Sequence, residues 1–217
     1  NSLWSETVPD PLDLRLHARM RAKLAGFLDH PDRVLQLYPM EDQSLSARYA
    51  RAIAYYRASD LHSAIIEIDT LIVENPRDPY FRELKGQILF ENGRLLEAWP
   101  HYELANQLLA DDPLLMLELA RLEIEIGTPD LVSRSIVTLE QVVRIEEDNN
   151  IAWWLLSIGY GREGRMAESA LASGEQALLE RRPKDAQLHA ERALRSAPEG
   201  SPSWLRAQDI RELASRE

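Results

Sequence analysis

The sequence predicts an all-α protein, a right-handed α-solenoid of stacked helix hairpins with an N-terminal helical extension and a C-terminal capping helix. Three observations predict it. First, Ala54-Tyr-Tyr-Arg-Ala-Ser-Asp-Leu-His-Ser-Ala-Ile65 reads as helix, tight turn and helix. The pattern returns as Ile88-Leu-Phe-Glu-Asn-Gly-Arg-Leu-Leu-Glu-Ala-Trp99, Leu122-Glu-Ile-Glu-Ile-Gly127 and Gly159-Tyr-Gly-Arg-Glu-Gly-Arg-Met-Ala-Glu-Ser-Ala170. The step is about 34 residues, the tetratricopeptide period. Second, small residues recur where paired helices approach: Ala52, Gly86, Ala120 and Ser157 in first helices, Ala64, Ala98, Ser135 and Ser169 in second helices. A large side chain there would overpack the pair at a cost of about 1–3 kcal/mol. Third, Asp78-Pro79, Asp112-Pro113, Thr128-Pro129 and Ser201-Pro202 each place an N-cap before a Pro at the first helical position.

The elements follow in order. Residues 1–10 read as an extended lead-in, Leu12–Leu28 as one helix with Leu14, Leu16, Met20, Leu24 and Phe27 on a partly apolar face, and about 32–38 as a short helix. Helix pairs follow at about 45–58 with 61–74, 79–92 with 95–109, 112–126 with 130–146 and 150–162 with 165–180. Turn positions Ser59, Gly93, Gly127 and Gly164 suit a left-handed helix stop, and Ile68, Tyr102 and Leu139 are the core partners of the second-helix small residues. The third pair carries three extra residues around Thr128-Pro-Asp130. The register then changes: Ala186, Ala190, Ala193 and Pro198 fit a helix whose partner is the one already at 165–180, with Gly174 in its small position. A final helix at about 202–215, carrying Trp204, caps the array. Residues 1–40 therefore form a lead-in and residues 41–217 an array of about 4.5 pairs plus a cap. Arg48, Arg51, Arg82 and Lys85 occupy positions where the repeat expects aromatic and leucine side chains, and Tyr49, Phe81 and Leu84 are the neighbours able to pack there instead.

Composition limits the function. The 217 residues are 45% apolar, enough for a core, and carry 36 acidic against 25 basic side chains, a formal charge of −11. Such a chain suits neither nucleic acid nor anionic lipid, which need a basic patch; Arg181-Arg182 reads as a solvated helix end. Cysteine is absent, which removes disulfides, thiolate metal sites and a Cys nucleophile and fits an oxidising compartment as well as the cytosol. The longest apolar stretch, Ile151–Ile158, is far short of the roughly 20 residues that span a bilayer. The opening Asn1-Ser-Leu-Trp4 shows no leader and no Met, which reads as a fragment or processed form.

No catalytic constellation emerges. His17, His30, His62, His101 and His189 are scattered, with no His-Glu-x-x-His helix among them. No Gly-Lys-Ser/Thr phosphate loop or Gly-x-Ser-x-Gly elbow occurs. Glu123 with Glu125, and Glu146-Glu147-Asp148, read as solvated acidic faces. Catalytic, cofactor and metal residues are expected to be none.

First helices line the inner wall of such an array. On that register the groove residues are Tyr49, Ile53 and Tyr56, then Tyr80, Gln87 and Phe90 with Glu91, then Leu117, Arg121 and Ile124, then Trp154, Ile158 and Arg162. Aromatic side chains and Arg are favoured interface anchors. Three readings stand: an external peptide or unfolded-protein site, a groove filled within the same protein by the 11–38 helices or another domain, and ordinary core. Trp153 takes the core position beside Trp154. Tyr49 and Ile53 replace the Lys and Asn of the carboxylate clamps that bind chaperone tails, which discounts that function.

Specific segments also carry a resemblance. His17-Ala-Arg-Met-Arg-Ala-Lys-Leu-Ala-Gly-Phe-Leu28 and Ser46-Ala-Arg-Tyr-Ala-Arg-Ala-Ile-Ala-Tyr-Tyr56 resemble the C-terminal part of bacterial periplasmic zinc metalloproteases with tetratricopeptide repeats, the BepA (YfgC) type of the HtpX-related peptidase family. Pro79–Gly93 and Gly200–Ile210 are similar to the same group. The resemblance implies a preceding protease domain that holds the zinc on a His-Glu-x-x-His helix. It also implies a role in outer-membrane β-barrel quality control, and repeats that hold protein partners and pack on the protease. From it follow the expectations of a non-catalytic, periplasmic protein-binding module that positions substrates or assembly partners. The alternatives are a free-standing scaffold with no protease attached and, in a third class, an enzyme acting on a small molecule.

Overall fold

The computed structural model describes residues 11–216; the expected lead-in at 1–10 and the side chain of Leu16 lie outside the described residues. The described residues form twelve α-helices and no strand. Two compact units divide between Arg94 and Leu95.

The first unit holds α1 (Pro11–Leu28), α2 (Pro31–Leu37), α3 (Leu45–Arg57), α4 (Leu61–Glu74) and α5 (Pro79–Glu91). α3 and α4 pair around Tyr49, Ala52, Ala64, Ile68 and Leu71, and α5 adds Phe81, Leu84 and Ile88. Asp78 starts α5 by accepting from the amides of Tyr80 and Phe81. α1 and α2 pack on α3 across a seam of small residues, Ala22, Ala50 and Ala54, with Val34. This corrects the expected face of α1 in part: Phe27 packs against the α3–α5 core as expected. Leu14, Met20 and Leu24 point to solvent, and Ala22 and Gly26 face inward because the helices approach too closely for larger side chains.

Two arginines at positions expected to hold aromatic and leucine side chains are explained by pairing. Arg51 is fully buried, its Nε 2.6 Å from Glu67 and its Nη1 donating to the carbonyls of Pro39 and Asp42 at 2.7 and 2.8 Å. A buried charge is tolerated when its partners are this complete, and here it also ties the loop before α3 to the hairpin. Arg48 pairs with Glu74, which raises the guanidinium and holds the Glu74 carboxyl below its ordinary range.

The second unit holds α6 (Leu95–Leu108), α7 (Pro113–Ile126), α8 (Pro129–Ile145), α9 (Asn150–Arg162), α10 (Met166–Leu179), α11 (Pro183–Ser196) and α12 (Pro202–Ser215). α7 to α10 share a core of Leu117, Ala120, Ile124, Ile136, Leu139, Val142, Leu155, Leu156 and Ala172. The left-handed turn residues are where the repeat places them: Ser59, Gly93, Gly127 and Gly164 have φ of 62°, 74°, 76° and 74°. Thr128 has the extended backbone of an N-cap but makes no side-chain cap bond, unlike Asp112 and Ser201. Ser157 and Ser169 are only half-buried, and Ser169 donates to the Ser157 carbonyl at 2.8 Å, so the fourth pair closes on a polar contact.

The change of register is visible in the packing. α11 pairs with α10, and α12 packs on both. A Cβ on Gly174 of α10 would lie 3.4 Å from Ile210 of α12 and 3.7 Å from His189 of α11. α10 is thus the second helix of one pair and the first of the next.

Candidate protein-binding surfaces

The expected groove residues separate into covered and open ones. In the first unit, Tyr49 and Ile53 are buried beneath α1. Arg19 of α1 forks onto Asp78 at 2.5 and 2.9 Å while its guanidinium lies over the rings of Tyr80, Phe81 and Tyr49, at 4.7, 4.8 and 5.7 Å. Lys23 adds a 3.5 Å contact to Glu83, and Arg57 donates to the carbonyls of Gly26 and Asp29. Tyr80 is partly exposed at the edge of this contact. Burial raises the Tyr49 hydroxyl pKa well above its ordinary value, with Glu83 adding to the shift. Tyr56 donates to Glu91, which also accepts from Gln87, and burial pushes the Tyr56 hydroxyl up as well. Phe90 is half-buried.

In the second unit, Leu117 and Ile124 belong to the core rather than to an open wall. Ile124 lies 3.9 Å from where a Cβ on Gly159 would stand, so the α7–α9 contact encloses it. Arg121 and Arg162 are exposed, Ile158 is half-buried, and Arg162 donates to the Ile124 carbonyl at the end of α7. Trp154 stands 45% exposed. Of the groove residues expected in this unit, Arg121, Trp154 and Arg162 are therefore the solvent-exposed ones, on α7 and α9.

This unit carries a second surface. A cleft of about 810 Å³ is lined by Val143 and Arg144 of α8, Glu147, Trp153, Leu171, Leu178 and Arg206, among others. An adjoining cleft shares Val143, Arg144, Trp153 and Leu171 and extends to Tyr160, Arg165 and Ser203. Trp153, expected in the core, packs against the α7–α10 core while remaining half-buried, and donates Nε1 to the Glu147 carbonyl at 3.0 Å, which fixes its ring as one wall of the cleft. Arg206 forks onto Glu175 at 2.5 and 2.8 Å, joining α12 to α10. The sequence signal for this cleft was the small Gly174 on a helix used twice.

The acidic residues also divide. Glu125 is exposed, as a solvated face requires, but Glu123 is fully buried against Arg134 and Trp99. Among the described residues no group of three or more His, Asp or Glu side chains could hold a metal ion, and no helix is long and apolar enough to cross a membrane.

Comparisons agree with this architecture. The tetratricopeptide repeat family matches residues 49–113. The solved MamA RS-1 ArsTM double mutant is similar in fold, with 16% identity, a TM-score of 0.64, and 78% of this chain and 96% of that one covered. MamA MSR-1 C2 gives 11% identity and a TM-score of 0.63 over 78% of this chain and 98% of that one. A structure from work titled functional characterization of Pseudomonas aeruginosa pilF gives 17% identity and a TM-score of 0.57 over 92% and 99%. No curated protein matches the sequence. The described residues thus form an all-α array of tetratricopeptide-type helix hairpins, with the repeat family itself matched over residues 49–113.

Proposed function

We propose that this chain is a non-catalytic protein-binding module of a periplasmic zinc metalloprotease, positioning substrates or outer-membrane assembly partners for a protease domain. The observation that carries the binding role is Trp154, a large aromatic left exposed on α9, with Arg121 and Arg162 exposed on α7 and α9. Aromatic and Arg side chains dominate interface energetics. The protease setting is supported by the resemblance of the 17–28 and 46–56 segments, which belong to α1 and α3 and pack on each other in the first unit. The absence of cysteine is compatible with a periplasmic location.

The binding role is tested by placing a photo-crosslinking residue at Trp154 and offering an unfolded outer-membrane β-barrel protein as probe. Crosslinks at 154 that Trp154→Ala competes for less well, with unchanged helicity, are the expected result; a site worth about 2 kcal/mol would weaken binding about thirtyfold. No crosslink to the probe would remove the binding role. The setting is tested by the gene: a His-Glu-x-x-His codon run upstream of Asn1 supports the protease, and an upstream stop codon supports the free-standing scaffold.

A further inference from the structure

We infer that the cleft over α10, with α8 and α12 as its walls, is a second docking site, and that its occupant is a basic amphipathic helix of a partner protein. Val143, Trp153, Leu171 and Leu178 give the cleft an apolar floor. Apolar side chains lining an open channel of this size mark contact surfaces rather than ordinary solvent-facing positions. Walls supplied by two helices with a third as floor suit the helix-in-groove mode, in which an apolar face seats in the channel and polar residues meet the rim.

The rim decides the charge of the occupant. Its basic groups are already engaged: Arg144 with Glu140, Arg165 with Glu168, and Arg206 with Glu175. Glu147, whose charge also acts on Arg206, and Asp148 form the acidic side of the rim, both exposed and both lining the cleft. A helix that sets Lys or Arg beside these two carboxylates gains attraction, and an acidic one meets repulsion. The formal charge of −11 steers the same choice at longer range. This site is separate from the Trp154 surface, and it exists because α10 serves two pairs, leaving α12 beside α10 where a regular repeat would continue.

The test uses the whole chain and two fluorescent peptides of about 18 residues, five helical turns, sharing one leucine face and differing only in Lys or Glu elsewhere. The Leu/Lys peptide is expected to bind one saturable site by fluorescence anisotropy. Glu147→Lys with Asp148→Lys should weaken it by about tenfold and improve the Leu/Glu peptide. Leu179→Glu, an exposed position lining the cleft, should abolish it with helicity retained. Glu125→Lys with Asp130→Lys, the same charge change elsewhere, should leave it nearly unaltered. Equal weakening by both double variants would show attraction to the acidic surface at large and overturn the proposal, as would no saturable binding. Self-association that the 147/148 reversal removes would give the cleft to a second copy and also overturn it. Trp154→Ala should not move this binding, so failure here and failure of the inner-wall reading are separately visible.

Discussion

Glu123 is the residue whose environment departs furthest from what its sequence context suggests. It sits on α7 fully buried, with Oε1 accepting from Arg134 at 2.8 Å and from Trp99 at 3.3 Å, while Oε2 has no partner. Burial pushes its carboxyl pKa above the ordinary 4.5, and Arg134 opposes without cancelling the shift. The sign follows from linkage: a raised folded-state pKa means the native state holds the proton longer than the unfolded chain. Its contribution is favourable below the ordinary value and is lost as pH rises through the raised one. Glu123→Gln keeps an acceptor for Trp99 and removes that titration. The variant should therefore gain stability relative to the parent chain between pH 4 and pH 7, measured as the difference in urea midpoints. A difference independent of pH would mean the carboxylate is solvated after all. Nothing in Leu122-Glu-Ile-Glu-Ile126 distinguishes the buried Glu123 from the exposed Glu125 except helical phase. The residue that buries it is an arginine on the next helix, and local sequence does not announce that.

At the scale of elements, helix limits were legible because short-range chemistry sets them. The α4, α9 and α12 bounds coincide with the expected 61–74, 150–162 and 202–215, and the other helices given bounds differ by a residue at an end, since N-caps, Pro at the first turn and left-handed stops are all local. Only at Phe27, which packs on the core, was the orientation of α1 legible. Its large apolar residues suggested the buried face, but the contact with α3 is governed by backbone approach. A Cβ on Gly26 would stand 2.8 and 2.9 Å from Cβ and Cγ2 of Ile53. Ile53 Cβ is fixed to its own helix and cannot turn aside, so α1 must lift. Gly26→Ala gains about 1 kcal/mol of helix propensity and meets an overpacking cost of about 1–3 kcal/mol. The net expectation is a loss of about 1 kcal/mol in urea unfolding, with faster amide exchange along α1. A stabilised variant would show that the helices part at little cost. The same close approach is why Tyr49 and Ile53, expected on the groove, are covered: a helix able to come this near fills the space in front of them.

At the scale of the molecule, repeat arrays transmit stability mainly between neighbours, because each hairpin touches only the adjacent ones. The chain has no disulfide to link distant parts, and its contacts group into units divided between Arg94 and Leu95. A local loss should therefore stay local. Arg19 offers a clean case, since its partners Asp78, Tyr80, Phe81 and Tyr49 all belong to the first unit. Removing a forked, charge-assisted pair and its ring contacts should cost about 2 kcal/mol. Arg19→Lys should recover less than half, because an ammonium cannot fork onto a carboxylate or lie flat on a ring. Hydrogen exchange on Arg19→Ala should show faster exchange within residues 11–94, greatest in α1 and at the start of α5, and near-parental rates in α7 to α12. Uniform acceleration across all twelve helices would instead mean that the chain unfolds as one cooperative body. The position of Arg19 on a predicted helix was readable in the sequence, but its grip on Asp78 spans 59 residues, and only the packed structure brings the two together.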